Sequence, residues 1–288
     1  MTAAIVCALA LASLPDVPVL KRVEVSREDL PLTGSTIELK DGRLTFYLYV
    51  PSNWQPKTDE TLTVHFHTAR WVSIPQHLAA GLDGPLLVFN NGAGSSVYRE
   101  PFLDTGRFQR WMERCRQVLI PLGSPPDMRW VALDISSFSA GYGAVRELVK
   151  VPELFAMMRR VVLADSLYGD VLEGRRPDPR DVDVWVPLAQ AAKRGEKTFL
   201  ITVSEVPTTY ASSSECASAI VAAVGGSLEP APPGATSDPD LAEWRLSRRF
   251  DAGRLHVWLF EGADGPAHLA HVRNLGALWR ALDAAGAP

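Results

Sequence analysis

Residues 129–145 read RWVALDISSFSAGYGAV. Trp130 to Ile135 is a short apolar run suited to a buried strand. It meets three serines, passes Gly141 and Gly143, and continues with the pattern of a helix. Strand, tight turn and helix in that order are the setting of a nucleophile elbow, whose turn needs small residues two before and two after the reactive side chain. Ser139 has Ser137 before it and Gly141 after it, giving S-x-S-x-G where the common form is G-x-S-x-G. Serine is small but carries a Cβ, so the turn expected here is more crowded. Gly141 and Gly143 suit close packing of the following helix on the sheet. Ser136 and Ser137 lack these flanks and are poorer nucleophiles. A plain strand-to-helix junction capped by serine uses similar residues, so the neighbouring chemistry has to decide.

A turn of this kind lifts the serine oxygen out at the C-terminal edge of the sheet. The backbone N–H of Ala140, at the helix start, then faces a developing oxyanion. Such a serine needs a base, and the base needs an orienting group. The chain has six histidines. His256 lies within the last strand pattern and reads as structural. His268 and His271 follow that strand across the loop EGADGPA; His268 is nearer the loop, and His271 is the alternative if the helix begins later. The acid is expected at a strand end between serine and histidine. Asp165 in VVLADSLYGD fits best, Asp170 lies further into its loop, and Glu205 is the only carboxylate close behind KTFLITVS. The segment VHFHTARW supplies the second oxyanion donor, the N–H of Thr68 or Ala69.

Around these residues, short apolar runs alternate with helical patterns, the order of a largely parallel sheet covered by helices. STIELKDGRLTFYLYVP reads as a hairpin turning at Asp41-Gly42. The strands that follow are TLTVHFH, GPLLVF, WVALDIS, VVLADS, KTFLITVS and RLHVWLFEG. The helices are FLDTGRFQRWMERCRQVLI, YGAVRELVK, SECASAIVAAVGG and AHLAHVRNLGALWRALDAA. EGRRPDPRDVD is a loop or a small cap, and EPAPPGATSDPD is a surface loop. No internal repeat and no domain boundary stand out. Residues 1–20 are expected to be a signal peptide or N-terminal extension, because AAIVCALALASL has the length of an h-region and Ala10-Leu11-Ala12 offers a cleavage site, although only Met1-Thr2 precede it. Residues 21–288 then form one domain, exported if the leader is cleaved and cytoplasmic otherwise.

At 288 residues, 47% hydrophobic and 22% charged, the chain can bury one sizeable core. A net charge of -4 gives no reason to expect nucleic acid as a partner. No run reaches the roughly 18 apolar residues of a membrane span. Cys7, Cys115 and Cys216 follow no zinc-ligand spacing and read as free or structural thiols. NNGAGSS at 90–96 lacks the lysine of a phosphate loop and reads as a turn after a buried strand. His65 and His67, two apart on a strand, could present a metal pair, but Thr68-Ala69-Arg70 adds no ligand.

These residues resemble the α/β-hydrolase superfamily from the hairpin near residue 34 to the final helix. The carriers are SSFSAGYGAVREL as elbow, VVLADSLYGD as acid strand, HFHTARW as oxyanion loop and AHLAH as base loop. The resemblance implies an α/β-hydrolase fold: a mostly parallel central sheet, helices on both faces and an antiparallel N-terminal part. It implies Ser139 as nucleophile, Asp165 as acid, His268 as base and Ala140 as oxyanion donor. The activity it implies is that of a carboxylesterase-like serine hydrolase acting on a small ester or amide, with no cofactor. Two departures stand beside this: Ser137 in place of glycine, and an oxyanion loop without the H-G form. The alternatives are an inactive binding protein on the same fold, and a metal-dependent hydrolase built on His65 and His67.

Overall fold

Alternate residues of the central strands enter two different cores, and this alternation sets the architecture. Val161, Leu163, Phe199, Ile201 and Val257 pack on one face with the helices Arg107–Leu119, Val186–Lys193 and Ser213–Ala223. Val162, Ala164, Leu200, Trp258 and Phe260 pack on the other with the helix Leu275–Ala285. Side chains of a strand point alternately to opposite faces, so a strand apolar at every position must be covered on both. The computed structural model describes residues 34–231 and 244–285. The expected leader at 1–20 and most of the surface loop EPAPPGATSDPD lie outside them.

The strands are β1 (Gly34–Asp41), β2 (Leu44–Pro51), β3 (Asp59–Phe66), β4 (Leu86–Phe89), β5 (Arg129–Phe138), β6 (Met158–Ala164), β7 (Val171–Leu172), β8 (Arg176–Pro177), β9 (Thr198–Val203), β10 (Glu229–Pro230), β11 (Leu246–Ala252) and β12 (Leu255–Phe260). One sheet runs in the order β1-β2-β4-β3-β5-β6-β9-β12-β11-β10, and β7 pairs with β8 apart from it. From β4 to β12 in that order every neighbouring pair is parallel. Both edges are antiparallel: β1-β2-β4 at one side, β12-β11-β10 at the other. The expected hairpin is present, but its turn lies one residue later than the expected Asp41-Gly42. Its register pairs Asp41 with Leu44, leaving Gly42-Arg43 as the turn, and Gly42 takes φ +60° there.

Several features depart from the sequence reading, which lacks the helices Arg70–Ala79 and Val186–Lys193 and the strand β10. β11 was not expected; it is an edge strand of sequence LSRRFDA, mostly half-buried, with no apolar alternation to mark it. The last helical pattern is two helices, Gly265–Arg273 and Leu275–Ala285, separated at the buried Asn274. The segment EGRRPDPRDVD forms β8 and the short helix Pro179–Val182, capped by Asp178. This small excursion is fixed to the helix Tyr142–Leu148 by the ion pair Arg146–Asp181 at 2.5 Å, both side chains largely buried.

The parallel strands end level with one another. Phe66 pairs with Ser137, Phe138 with Ala164, and Ala164 with Thr202. The residues immediately after β3, β5, β6 and β9 therefore meet along one sheet edge. Among the described residues no helix is long and apolar enough to cross a membrane.

Candidate active site

Four non-glycine residues among those described have positive φ. Three of them are the residues just past the ends of β3, β5 and β6: His67 at +67°, Ser139 at +49° and Asp165 at +44°. An L-residue held in this region costs of order 1–3 kcal/mol, and such strain gathers where the surroundings over-determine the backbone. At Ser139 the surroundings are visible. A Cβ on Gly141 would lie 2.4 Å from the Phe66 carbonyl oxygen, and one on Gly143 would lie 2.4 Å from the Ser95 carbonyl oxygen. Only glycine lets the elbow close against β3 and the helix Ser95–Arg99. Ser137, the departure from the common pattern, is fully buried with its side chain hydrogen-bonded. Its hydroxyl lies 2.8 Å from that of Ser166, which donates to the Ser139 carbonyl at 2.8 Å.

Asp165 and His268 meet 103 residues apart in sequence, with Asp165 Oδ2 2.7 Å from His268 Nδ1. The same carboxylate oxygen accepts from Ser204 Oγ at 2.5 Å, and Oδ1 accepts from the Ser204 N–H at 3.3 Å. Burial by itself would raise the Asp165 pKa. The neighbouring imidazoles of His271 and His268, with the hydrogen bonds from His268 and Ser204, outweigh it and hold the carboxyl well below the usual range. An ionised Asp165 can only accept, so Nδ1 of His268 is the donor, and in the neutral ring that leaves Nε2 as the acceptor. The His268 ring lies 4.5 Å, centroid to centroid, from Phe138, the residue before Ser139.

The helix start settles which histidine reaches this edge. Asp264 caps the helix Gly265–Arg273 by accepting from the Ala267 N–H, and this sets His268 in the first turn. His271, one turn on, is fully buried against Trp244 and Phe260, with Nδ1 2.7 Å from Thr202 Oγ1. Burial pushes it down to about 4, so it is neutral near pH 7 and is held by the core. His256 pairs with Asp251 at 2.6 Å, as a structural histidine would. Asp170 and Glu205 are exposed, and the Asp165 carboxylate has the place beside His268.

After β3 the chain turns at His67, whose N–H donates to the Phe89 carbonyl at 2.8 Å. Thr68 and Ala69 follow, and Ala69 caps the helix Arg70–Ala79 in extended conformation. This loop touches the elbow through the contact of Phe66 with Gly141. The His67 ring stacks on Phe138 at 5.9 Å. Its Nδ1 lies 2.8 Å from Tyr98 Oη, which also donates to the Gly92 carbonyl and accepts from the Asn91 N–H. NNGAGSS is thus a turn anchored on Tyr98 that leads into Ser95–Arg99. Ala140 lies in the short turn Ser139–Gly141.

His65 and His67 have separate partners. His65 is buried with Nδ1 2.8 Å from Ser136 Oγ, while His67 has left the strand and bonds Tyr98. Among the described residues no group of three His, Cys, Asp or Glu could hold a metal ion. Burial raises the thiols of Cys115 and Cys216 to about 12, and both are free. Sequence reasoning missed Ser166, Ser204 and Tyr98. The first two carry a faint signal, a small hydroxyl residue at or beside a strand end that also bears a candidate acid.

No protein-family model matches the chain. No curated protein matches it either. Among solved structures it is similar to an arylesterase, at 12% identity over 96% of this chain and 88% of that one, with a TM-score of 0.47. It is similar to an S-formylglutathione hydrolase from Agrobacterium tumefaciens, at 13% identity over 86% and 95% of the two chains, TM-score 0.47. It is also similar to LpqC, a poly(3-hydroxybutyrate) depolymerase from Bordetella parapertussis, at 13% identity over 85% and 89%, TM-score 0.46. The strand order of this chain, with its strand-end turns on one edge, is that of the α/β-hydrolase fold.

Proposed function

We propose that this protein is a serine hydrolase that cleaves carboxylic esters through an acyl-enzyme. The observation that carries the reading is the 2.7 Å pairing of Asp165 with His268, on the sheet edge where Ser139 is held at φ +49°. In this reading His268 Nε2 takes the Ser139 proton as Oγ attacks the ester carbonyl. Asp165 stays ionised and stabilises the imidazolium through Nδ1–H. The N–H of Ala140 and one from Thr68 or Ala69 hold the oxyanion. Collapse expels the alcohol, which takes the proton from His268. Water then attacks the acyl-enzyme, with His268 as base again, and releases the acid and free Ser139.

The alternative is a hydrolase-fold binding protein without turnover, because fold does not imply function. A panel of p-nitrophenyl esters of increasing acyl length, run on wild type and Ser139→Ala, separates the two. Turnover that disappears in the variant supports the hydrolase. A folded wild type that cleaves none of the panel supports the binding protein.

A further inference from the structure

The Ser166 side chain is fully buried directly behind Asp165, and no chemical step above uses it. Its hydroxyl donates to the Ser139 carbonyl oxygen at 2.8 Å and lies 2.8 Å from Ser137 Oγ. A serine hydroxyl has one proton. The Ser139 carbonyl can only accept, so the Ser166 proton goes there. The Ser137–Ser166 contact then has one solution, with Ser137 donating. Two protons run in one direction, from Ser137 to Ser166 and from Ser166 to Ser139.

The acceptor gives this relay its consequence. The Ser139 carbonyl and the Ala140 N–H belong to one planar trans peptide unit and point to opposite sides of it. Holding the oxygen therefore aims the N–H. A hydrogen bond on the carbonyl also polarises the unit and strengthens its N–H as a donor. Glycine at position 137 could not supply the first donor.

We infer that Ser166, backed by Ser137, is a positioning residue for the oxyanion: it sets the plane and the donor strength of the Ser139–Ala140 peptide. The inference rests on the proposed reading of Ser139 as nucleophile and Ala140 as oxyanion donor. The relay also joins the acid-bearing turn to the nucleophile-bearing turn, since Ser166 is the residue after Asp165. The benefit appears only when negative charge develops, so it belongs to the transition state and not to substrate binding.

The test uses Ser166→Ala and Ser166→Cys. Cysteine keeps nearly the same volume and offers only a weak donor. Both are compared with wild type on a chromogenic ester, on a trifluoromethyl ketone that adds to Ser139 as an oxyanion, and on a non-cleavable ether analogue of the ester as an uncharged ground-state competitor. Removing an oxyanion donor outright costs about 100- to 1000-fold. A donor left in place but released from its brace is expected to cost about 10- to 100-fold in kcat. KM and the affinity for the ether analogue stay within about twofold, and trifluoromethyl ketone affinity falls by the factor seen in kcat.

Ser137→Ala, which leaves the bond from Ser166 to Ser139 in place, gives the same selective pattern with a smaller loss. It decides the matter if the Ser166 variants do not fold. Folded variants with unchanged kcat and ketone affinity overturn the inference. So does a loss spread equally over the ketone and the uncharged ether analogue, since a merely structural role gives that. Ester turnover that depends on Ser139 but not on Ser166 defeats this inference alone. A wild type without turnover removes both.

Discussion

Gly141→Ala places one methyl group where β3 and the elbow meet. The added Cβ would sit 2.4 Å from the Phe66 carbonyl oxygen and 2.8 Å from the Phe66 carbonyl carbon, both backbone atoms. Ordinary contact begins at 3.4 Å, so the two chains must separate by about 1 Å for normal packing. Gly141 has φ -61°, a value alanine adopts freely, so the effect is purely steric. Two terms compete. Alanine is favoured over glycine in a helix by up to about 1 kcal/mol. Overpacking against a rigid neighbour costs about 1–3 kcal/mol. The second term wins because Phe66 is paired on both sides within the sheet. The strand cannot yield without moving His67, Thr68 and Ala69 away from Ser139. A 1 Å misplacement of groups around a reacting centre costs about 100-fold in rate. The expected variant is folded, less stable by about 1–2 kcal/mol, and slower in kcat by about 100-fold. Urea unfolding gives the first quantity and steady-state ester hydrolysis the second. Gly106→Ala is the control: φ there is -89°, and the nearest atom is the movable end of the Arg110 side chain. Wild-type turnover and stability in Gly141→Ala would refute the close approach of β3 and the elbow as the basis of the site.

The remaining predictions concern charge and burial. His268→Ala lowers kcat by about 1000-fold or more, whereas His271→Phe stays active and loses about 1–3 kcal/mol of stability by stranding the Thr202 hydroxyl; equal activity losses would return His271 to the role of base. Burial holds His65 near 3 and His67, His77 and His271 near 4. Their folded pKa values lie below the unfolded value near 6.5. Between pH 6.5 and about 4 the unfolded chain therefore binds more protons, and stability falls as pH falls. Each such histidine contributes a slope of about 1.4 kcal/mol per pH unit, and a urea midpoint that is flat from pH 7 to 5 would contradict the buried neutral rings. Asp181→Ala leaves Arg146 without its carboxylate partner and is expected to cost about 3 kcal/mol, read by urea unfolding; a change below about 1 kcal/mol would mean that solvent already screens the pair.

The places of the candidate residues were legible because each stands at a punctuation point of the sequence. Ser139 and Asp165 directly follow an apolar strand and His268 lies past the loop after another, and the parallel order brings such strand ends to one edge. The choice between His268 and His271 was not legible. They lie three apart on one helix, and the choice depends on where Asp264 caps it. Ser166 and Ser204 were hidden for a different reason. A serine at a strand end is most often an ordinary turn residue, and only the third dimension shows that one hydroxyl faces the Ser139 carbonyl and the other the Asp165 carboxylate. β11 escaped because an edge strand, half-buried and charged, has no alternation to read. The sequence expected crowding at Ser137; the structure has a hydroxyl pair there, because Ser166 faces Ser137 across β5 and β6.

The central claim is that Ser139 is an activated nucleophile. Its most direct measurement is reaction of the folded protein with a fluorophosphonate, followed by mass spectrometry of the digested adduct. The account predicts one phosphonyl group per chain, carried on Ser139, with no adduct in Ser139→Ala and a much slower reaction in His268→Ala. A folded wild type left unmodified, or modified at another residue, would contradict it.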